Sequence, residues 1–216
     1  MNSLRALSRQ VMAQLELRRH VGLYEQNQRM LKEHQDNLEG MNAMLQKQSV
    51  TDDVTGFNNT RFLYQYLDQY MSSTSAGVEK LTLVFFDMDN FKQVVDDFGH
   101  MHGSKVLKEV AEVVHTHLDN ADRIVRYGGD EFIVILPGQS GEKALSKVEA
   151  IKEAIGSTVY LQKEKINLEV TASFGLATFP DDARDKKQLL MAADQCLFQS
   201  KKRGKNKISI WRLLSK

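Results

Sequence analysis

The stretch Arg126-Tyr127-Gly128-Gly129-Asp130-Glu131-Phe132 sets a glycine pair and two acids between two short apolar runs. The runs, residues 124–126 and 132–136, have the length and composition of short β-strands. Consecutive glycines are a strong turn signal, because glycine reaches backbone angles that other residues avoid. The stretch therefore predicts a β-hairpin whose tip presents Asp130 and Glu131.

A second pair of acids lies upstream of this hairpin. Residues 81–86 form an apolar run typical of a buried central strand, and Asp87 and Asp89 follow it directly. Alternate residues of an extended chain point to the same side, so we expect these two side chains to do so. If Asp87 and Asp130 meet at one sheet edge, their oxygens suit Mg²⁺ carried by a triphosphate. The alternative is that all are ordinary polar turn residues.

The rest of residues 51–216 alternates between helical and strand-like patterns. Helical spacing covers residues 61–71, 105–114, 144–155 and 187–202, whereas residues 72–77 read as a loop and residues 168–179 as a strand. This alternation predicts a mixed α/β (α+β) domain in which helices flank a central sheet.

A cluster of basic residues follows the last predicted helix; it comprises Lys201, Lys202, Arg203, Lys205 and Lys207. Beside a triphosphate site, such lysines would neutralise the β- and γ-phosphates. A solvated C-terminal tail and a nucleic-acid contact are the other interpretations of such a run.

Residues 1–50 contain no proline and are rich in helix-forming side chains. An apolar row recurs every seven residues at Leu17, Tyr24, Leu31, Leu38 and Leu45. A second row is mostly polar, at Gln14, Val21, Gln28, Gln35 and Asn42. The pattern predicts a coiled-coil stalk that joins two parallel chains, and the alternative is a single amphipathic helix packed on its own domain.

Bulk composition narrows the class of protein. The formal net charge of +1 argues against nucleic acid or membrane as a partner, and the single cysteine, Cys196, excludes a disulfide framework. The sequence contains neither a membrane-length apolar run nor a secretory signal pattern. We therefore expect a cytoplasmic protein.

Further stretches complete a pattern along the chain: Asp52-Asp53-Val54-Thr55-Gly56-Phe57-Asn58-Asn59, Phe86-Asp87-Met88-Asp89-Asn90-Phe91-Lys92, Asp96-Asp97-Phe98-Gly99-His100-Met101-His102-Gly103, Ala193-Asp194 and Lys201-Lys202-Arg203-Gly204-Lys205-Asn206. With residues 126–132, these blocks resemble the motifs of bacterial GGDEF nucleotide cyclases over residues 51–207. The resemblance implies a fold like the adenylyl-cyclase and polymerase palm. It also implies that two nucleoside triphosphates, one held by each of two facing domains, are joined into a cyclic dinucleotide with release of two pyrophosphates.

The same resemblance implies roles for individual residues. Asp87, Asp130 and the Met88 carbonyl would hold two Mg²⁺ or Mn²⁺ ions per site, and Glu131 would assist deprotonation or metal binding. Phosphate oxygens would meet the backbone amides of Asn90, Phe91 and Lys92 and the side chains of Lys201 and Lys205. The homodimer would form through the N-terminal helix and across the active site.

Two positions depart from the diguanylate cyclase pattern. Val95 stands where the family has an asparagine that binds guanine, and Ser104 replaces an aspartate that accepts from guanine N1–H and its amine. A carboxylate would face the lone pair of adenine N1, whereas a hydroxyl can either donate or accept. The chain thus resembles the hybrid promiscuous (Hypr) subgroup, which makes cyclic GMP–AMP from GTP and ATP. The alternatives are a diguanylate cyclase of relaxed selectivity and a non-catalytic nucleotide-binding module.

Two further features concern regulation. Where many family members have an R-x-x-D motif that binds product, this chain has Asp119 in place of the arginine, although Asp122 is present. An acid there repels a phosphodiester, so we expect no product inhibition through this site. Residues 4–16 resemble the closing helix of a GAF sensor domain, with a plain helical extension as the alternative.

Overall fold

The computed structural model describes residues 2–73 and 79–214, which form two compact units, Met1–Gln48 and Ser49–Lys216. The N-terminal residues form one long helix, α1 (Asn2–Val50), which confirms the predicted helical segment. The side chains of residues 4–11, part of the segment that resembles a sensor helix, lie outside the described residues. Among the helices that the structure describes, none has an apolar stretch long enough to cross a membrane.

The second unit is built on a six-stranded sheet with the strand order β1-β3-β4-β2-β5-β6. Its elements follow the chain as β1 (Asn58–Asn59), α2 (Thr60–Ser73), β2 (Leu81–Met88), α3 (Phe91–His115), β3 (Arg123–Gly128), β4 (Glu131–Pro137), α4 (Gly141–Ser157), a 3-10 turn (Gln162–Glu164), β5 (Ala172–Phe179), α5 (Lys186–Lys202), β6 (Ile208–Ile210) and α6 (Trp211–Leu214). The predicted α/β architecture, a largely antiparallel sheet flanked by helices, is confirmed.

Strand β2 lies at the centre of the sheet and is antiparallel to both β4 and β5. Successive side chains of a strand point to opposite faces, so β2 supplies two separate apolar cores. Val84 and Phe86 belong to the core beneath α3 and α4, whereas Leu83 and Phe85 belong to the core beneath α2 and α5. Every residue of β2 is buried, so its C-terminal end is a rigid position for functional side chains.

Helix α5 packs unusually close to β5. A Cβ atom added to Gly175 would lie 2.2 Å from the Ala193 carbonyl oxygen and 2.2 Å from the Leu197 nitrogen, so only glycine fits there. The hydroxyl oxygen of Ser200 lies 2.7 Å from the Phe174 carbonyl oxygen. These contacts fix α5, and with it the basic residues at its C-terminal end, against the sheet.

The element boundaries differ from the sequence prediction at three places. Helix α3 begins at Phe91, well before residue 105, and is kinked at Gly99, whose φ of 80° and ψ of 163° are not helical. Strand β5 begins at Ala172, and Leu168 pairs only with Tyr160 in an isolated bridge. Of the predicted loop 72–77, residues 72 and 73 are helical and residues 74–77 lie outside the described residues.

Candidate functional site

The acids singled out in the sequence converge where β2 meets the β3–β4 hairpin. Asp87 of β2 lies opposite Glu131 of β4 in the antiparallel register. The Met88 N–H donates to the Asp130 carbonyl oxygen at 3.3 Å, which ties the hairpin turn to the end of β2. Gly129 has a φ of 54°, a conformation that favours glycine and that turns the chain just before Asp130. The structure thus brings Asp87, Met88, Asp130 and Glu131 together at one sheet edge.

Burial and neighbouring charges both act on the acids at this edge. Burial raises the pKa of Asp87, a hydrogen bond from Lys201 opposes this, and the nearby charges of Asp130 and Asp89 raise the pKa further. Burial and then the charge of Asp87 likewise raise the pKa of Glu131. Carboxylates crowded in this way gain stability when a cation lies between them.

The oxygen atoms at this edge fit a hard divalent cation. Carboxylate and main-chain carbonyl oxygens are the ligands that Mg²⁺ prefers, and Asp87, Asp130 and Met88 supply that donor set. Within residues 2–73 and 79–214, no three His, Cys, Asp or Glu side chains converge as metal ligands. The expected set contains only two side chains, because its third member is a main-chain carbonyl.

Two lysines reach the acidic edge from the C-terminal end of α5 and the turn after it. Lys201 Nζ lies 2.7 Å from Asp87 Oδ2, and Lys205 Nζ donates to Asn90 Oδ1. Lys205 itself has a left-handed φ of 59°, and the N–H of the next residue, Asn206, donates to the Asp89 carboxylate. Both lysines predicted to contact phosphate therefore lie beside the predicted metal ligands.

The start of α3 supplies free backbone donors next to these lysines. Asn90 precedes the helix in a left-handed conformation, with φ 58° and ψ 25°, and its side chain does not cap the helix. Phe91 and Lys92 are the first helical residues, so their N–H groups have no partner within the helix. A helix N-terminus with free N–H groups attracts anions such as phosphate.

Asp89 follows Asp87 by two residues but serves a different purpose. Its carboxylate accepts from Thr171 Oγ1 at 2.8 Å, from Ser173 Oγ at 2.7 Å and from the Asn206 N–H at 2.9 Å. Strand β2 ends at Met88, so the alternation rule that suggested a direction shared with Asp87 no longer holds at Asp89. Asp89 joins β2 to β5 and to the turn after α5.

The kink in α3 brings Val95 next to Gly103, the residue that precedes Ser104. In a straight helix, residues 95 and 103 would be separated by about 12 Å along the axis. Here Val95 packs against Gly103, where an added Cβ would come within 3.0 Å of Val95 Cγ2. Val95 is half-buried, and Ser104, the next residue after Gly103, is exposed.

The two acids at the position of the family's inhibitory motif are joined to a lysine of α4. Lys147 Nζ lies 2.7 Å from Asp119 Oδ2 and also contacts Asp122 Oδ2. Asp122 additionally accepts from the Asp119 N–H at 3.0 Å and from Gln139 Nε2 at 3.2 Å. Burial lowers the pKa of Lys147, but the hydrogen bonds that Lys147 donates to the two acids outweigh this effect and raise that pKa overall.

Two contacts at the hairpin were not predicted from the sequence. Arg126 donates through Nε and Nη2 to the Gly129 carbonyl oxygen, at 3.0 and 2.8 Å, and through Nη1 to both oxygens of Asp52, at 3.1 and 3.2 Å. The hydroxyl oxygens of Tyr127 and Tyr64 lie 3.4 Å apart. Arg126 and Asp52 each lie within one of the sequence motifs, and membership of a motif was the only feature of the sequence that pointed to them.

The chain is similar to known proteins in sequence and in fold. Residues 49–207 match the sequence family described as "Diguanylate cyclase, GGDEF domain". The chain is 31% identical over 173 residues to Diguanylate cyclase A of Treponema denticola, a match that covers 78% of this chain and 46% of that protein. It is 33% identical over 164 residues to Diguanylate cyclase DgcP of Pseudomonas aeruginosa, which covers 76% of this chain and 24% of that protein. The chain thus spans less than half the length of either relative.

A solved structure with the same fold is that of the coiled coil and GGDEF domain of DgcB from Caulobacter crescentus in complex with c-di-GMP. The two structures superpose with a TM-score of 0.75 at 25% sequence identity, covering 81% of this chain and 92% of that chain.

Proposed function

The chain belongs to the GGDEF family of diguanylate cyclase domains, and on that premise we propose that it joins two nucleoside triphosphates into a cyclic dinucleotide. The observation that carries the proposal is the meeting of Asp87, Asp130 and Glu131 with Lys201 at the end of β2. Carboxylates beside a lysine and a helix N-terminus supply both the metal ligands and the phosphate contacts that such a reaction needs.

In the proposed reaction, each chain binds one triphosphate and two chains face each other. The 3′-hydroxyl oxygen of each nucleotide attacks the α-phosphorus of the other, so two phosphodiester bonds form. The bond from each α-phosphorus to the oxygen that bridges it to the β-phosphorus breaks, and two pyrophosphates leave. Glu131 is the candidate for assisting the removal of the hydroxyl proton or for binding metal.

Asp87, Asp130 and the Met88 carbonyl are the residues that would hold Mg²⁺ or Mn²⁺, two ions in each site. Bound metal supplies positive charge that stabilises the reacting phosphate and the leaving pyrophosphate. Burial is the main cause of the raised pKa values of Asp87 and Glu131, and the neighbouring carboxylates add to it, so a bound cation would favour the charged form of both acids.

The triphosphate itself would lie across the start of α3. The N–H groups of Asn90, Phe91 and Lys92 would donate to its oxygens, as free helix N-terminal amides do with other phosphates. Lys201 and Lys205 would leave Asp87 and Asn90 to pair with the β- and γ-phosphates. Lys201 would exchange a carboxylate for a phosphate, and Lys205 would exchange a neutral amide oxygen for a phosphate. Both lysines contact this edge directly, which supports the proposal that their side chains reach the phosphates.

The required pairing of two chains is assigned to α1. All five members of its apolar row are more than half exposed in the single chain, at Leu17, Tyr24, Leu31, Leu38 and Leu45. A second copy of the same helix would cover this row as a parallel coiled coil. Linking two catalytic domains in this way raises the effective concentration of each near the other.

We further propose that the base site accepts adenine as well as guanine. Ser104 offers a neutral hydroxyl that donates to adenine N1 or accepts from guanine N1–H, whereas the family's aspartate only accepts. Val95 offers only methyl groups and contacts the purine without reading its polar edge. The products would be cyclic GMP–AMP together with cyclic di-GMP.

The second candidate is a diguanylate cyclase that uses GTP alone. The names of the relatives favour it, because Diguanylate cyclase A and DgcP are named for that activity. Under this alternative, Ser104 would still bind guanine by accepting from N1–H, and adenine would be rejected elsewhere in the pocket.

The site occupied by Asp119, Asp122 and Lys147 is proposed not to bind product. Lys147 already neutralises both acids, and Asp119 would repel the phosphodiester of a cyclic dinucleotide. Cyclic di-GMP is therefore expected to inhibit the chain only by competing at the active site.

The experiment that tests the base assignment uses a mixture of GTP and ATP with Mg²⁺, and identifies the products by mass spectrometry. The wild type is expected to form cyclic GMP–AMP, and Ser104→Asp is expected to shift the products to cyclic di-GMP. Ser104→Ala is the matched control, because it removes the hydroxyl without adding a charge. Only cyclic di-GMP from the wild type would favour the second candidate, and no product from any mixture would contradict both.

A further inference from the structure

We propose that Arg126 and Asp52 are positioning residues for the metal turn, defined here as residues 128–131. Together they hold the peptide group that precedes Asp130. The inference rests on the proposed function, in which Asp130 is a metal ligand. Neither residue touches the predicted metal ligands with its side chain, so both act through the backbone of the turn.

Arg126 fixes the orientation of one peptide plane. Its Nε and Nη2 atoms both donate to the Gly129 carbonyl oxygen, at 3.0 and 2.8 Å. That carbonyl belongs to the planar peptide group that joins Gly129 to Asp130. Holding it therefore fixes the orientation of the Asp130 backbone nitrogen and limits the directions in which the Asp130 side chain can leave the main chain. The regular β3–β4 ladder does not do this, because its register shifts between Arg126 and Gly128.

Asp52 holds the guanidinium group from its other side. Arg126 Nη1 lies 3.1 and 3.2 Å from the two oxygens of Asp52, and the side chains of Arg126 and Asp52 are only 15% and 21% exposed. Hydrogen bonds between opposite charges are shorter and stronger than neutral ones, and partial burial limits their screening.

Asp52 is itself held by its own backbone turn. Its Oδ1 accepts from the Thr55 N–H at 2.9 Å and from Thr55 Oγ1 at 3.0 Å. The Asp52 N–H donates to the Phe57 carbonyl oxygen and the Asp52 carbonyl accepts from Gly56, both at 2.8 Å. The carboxylate therefore cannot follow Arg126 if the arginine moves, and it acts as a fixed anchor two residues after the end of α1.

Only arginine can make both contacts. Its planar fork presents separate N–H groups to a carbonyl and to a carboxylate at once, whereas lysine carries a single point charge on a flexible stem. Arg126→Lys therefore keeps the charge and loses the geometry. Asp52→Asn keeps the Oδ1 acceptor for Thr55 and loses the ion pair.

The first readout is metal binding by the full chain. Mn²⁺ affinity is measured by electron spin resonance in the presence of a GTP analogue with a methylene group between the α- and β-phosphorus atoms. Arg126→Lys and Asp52→Asn are expected to weaken it roughly tenfold to a hundredfold, as loss of the supporting partners of a metal site does. The double variant is expected to be no weaker than Arg126→Lys alone, because the two residues act through one contact.

The second readout needs no ligand. The Met88 N–H donates to the Asp130 carbonyl oxygen, so its hydrogen exchange reports the position of Asp130. Exchange at Met88 is expected to be faster in Arg126→Lys. Arg123→Lys is the control, because it makes the same change on the same strand, and Arg123 donates to the carbonyl oxygens of Asn120 and Asp122 rather than to the metal turn. Its Mn²⁺ affinity and Met88 exchange are expected to match the wild type.

A folded Arg126→Lys variant with wild-type Mn²⁺ affinity and wild-type Met88 exchange would overturn the positioning role. If the wild type fails to bind Mn²⁺ with the analogue, the proposed metal site is wrong. In that case the exchange of Met88 alone decides the positioning role, which faster exchange supports and unchanged exchange refutes.

Discussion

The Nζ atom of Lys201 lies 2.7 Å from the Oδ2 atom of Asp87, so a lysine at the end of α5 pairs directly with the carboxylate at the end of the central strand. The contact joins the basic cluster to the acidic edge across a long stretch of chain. It also shows that the side chain of Lys201 reaches the position at which a metal-bound triphosphate would lie.

Replacing Lys201 with alanine is expected to lower kcat/KM for the triphosphate roughly tenfold to a hundredfold, the range of one charge-assisted hydrogen bond. Lys202→Ala is the matched control. Its ammonium group lies over the Phe198 ring, 4.3 Å from the centroid, and is not directed at Asp87. Steady-state release of pyrophosphate measures both variants. Equal losses in the two would show that general positive charge, rather than the position of Lys201, matters.

The buried pair of Lys147 and Asp122 is expected to be important for stability. The Asp122 side chain is 1% exposed, so Lys147→Met leaves an unpaired buried carboxylate at a cost of about 3–5 kcal/mol. Urea denaturation measures the change in the free energy of unfolding. Lys143→Met, an exposed position on the same helix, serves as the control and is expected to change it little. A Lys147 variant as stable as the wild type would contradict the account.

The stability of the Asp52 anchor is expected to depend on pH. Burial raises the pKa of Asp52, but hydrogen bonds from Thr55 and Arg126 outweigh it and hold that pKa below the ordinary value of 3.8. A depressed carboxyl pKa stabilises the fold above the unfolded-state pKa, and this stabilisation is lost as the pH falls through the folded-state value.

The difference in unfolding free energy between the wild type and Asp52→Asn should therefore shrink when the pH falls from about 6 to about 3. Urea denaturation at the two pH values measures it. A difference that stays constant over this range would mean that the charge of Asp52 contributes nothing to stability.

The exposed apolar row of α1, which includes Leu31, predicts that two chains form a dimer. Leu31 is 64% exposed in the single chain, so Leu31→Asp disturbs little packing within that chain. Such a change should convert a dimer to a monomer, because a charge in a coiled-coil seam is costly. Gln26→Asp adds the same charge on the opposite side of the helix and should leave the dimer intact. Light scattering after size-exclusion chromatography decides between these outcomes.

Much of the fold could be predicted from the sequence, because apolar spacing reports which residues face a core. The hairpin at Gly128 and Gly129, the central strand and the long first helix all follow from local patterns. The start of α3 at Phe91 was not predicted, although Phe91, Val94, Val95 and Phe98 follow helical spacing. Gly99, whose φ and ψ are not helical, separates this period from the one that begins near residue 105. The left-handed φ that glycine permits allows the helix to resume beyond the break.

The sequence predicted which residues belong to the candidate site, but it did not predict which of them contact one another. Motif resemblance pointed to Asp87, Asp130 and the lysines, whereas the link from Arg126 to Asp52 joins residues far apart in the chain. No local periodicity reports such a pairing, which arises only when β1 is laid beside β3 with Asn59 opposite Arg126. For the same reason, the sequence did not show that Lys147 neutralises Asp119 and Asp122.

The most direct test of the central claim is the reaction of the full chain with GTP and Mg²⁺, followed by mass spectrometry and a pyrophosphate assay. The account predicts a cyclic dinucleotide with two pyrophosphates released for each molecule formed. It also predicts that Asp130→Asn, which keeps the shape of the side chain and removes its charge, abolishes the product. Formation of the same product at the wild-type rate by Asp130→Asn would contradict the account.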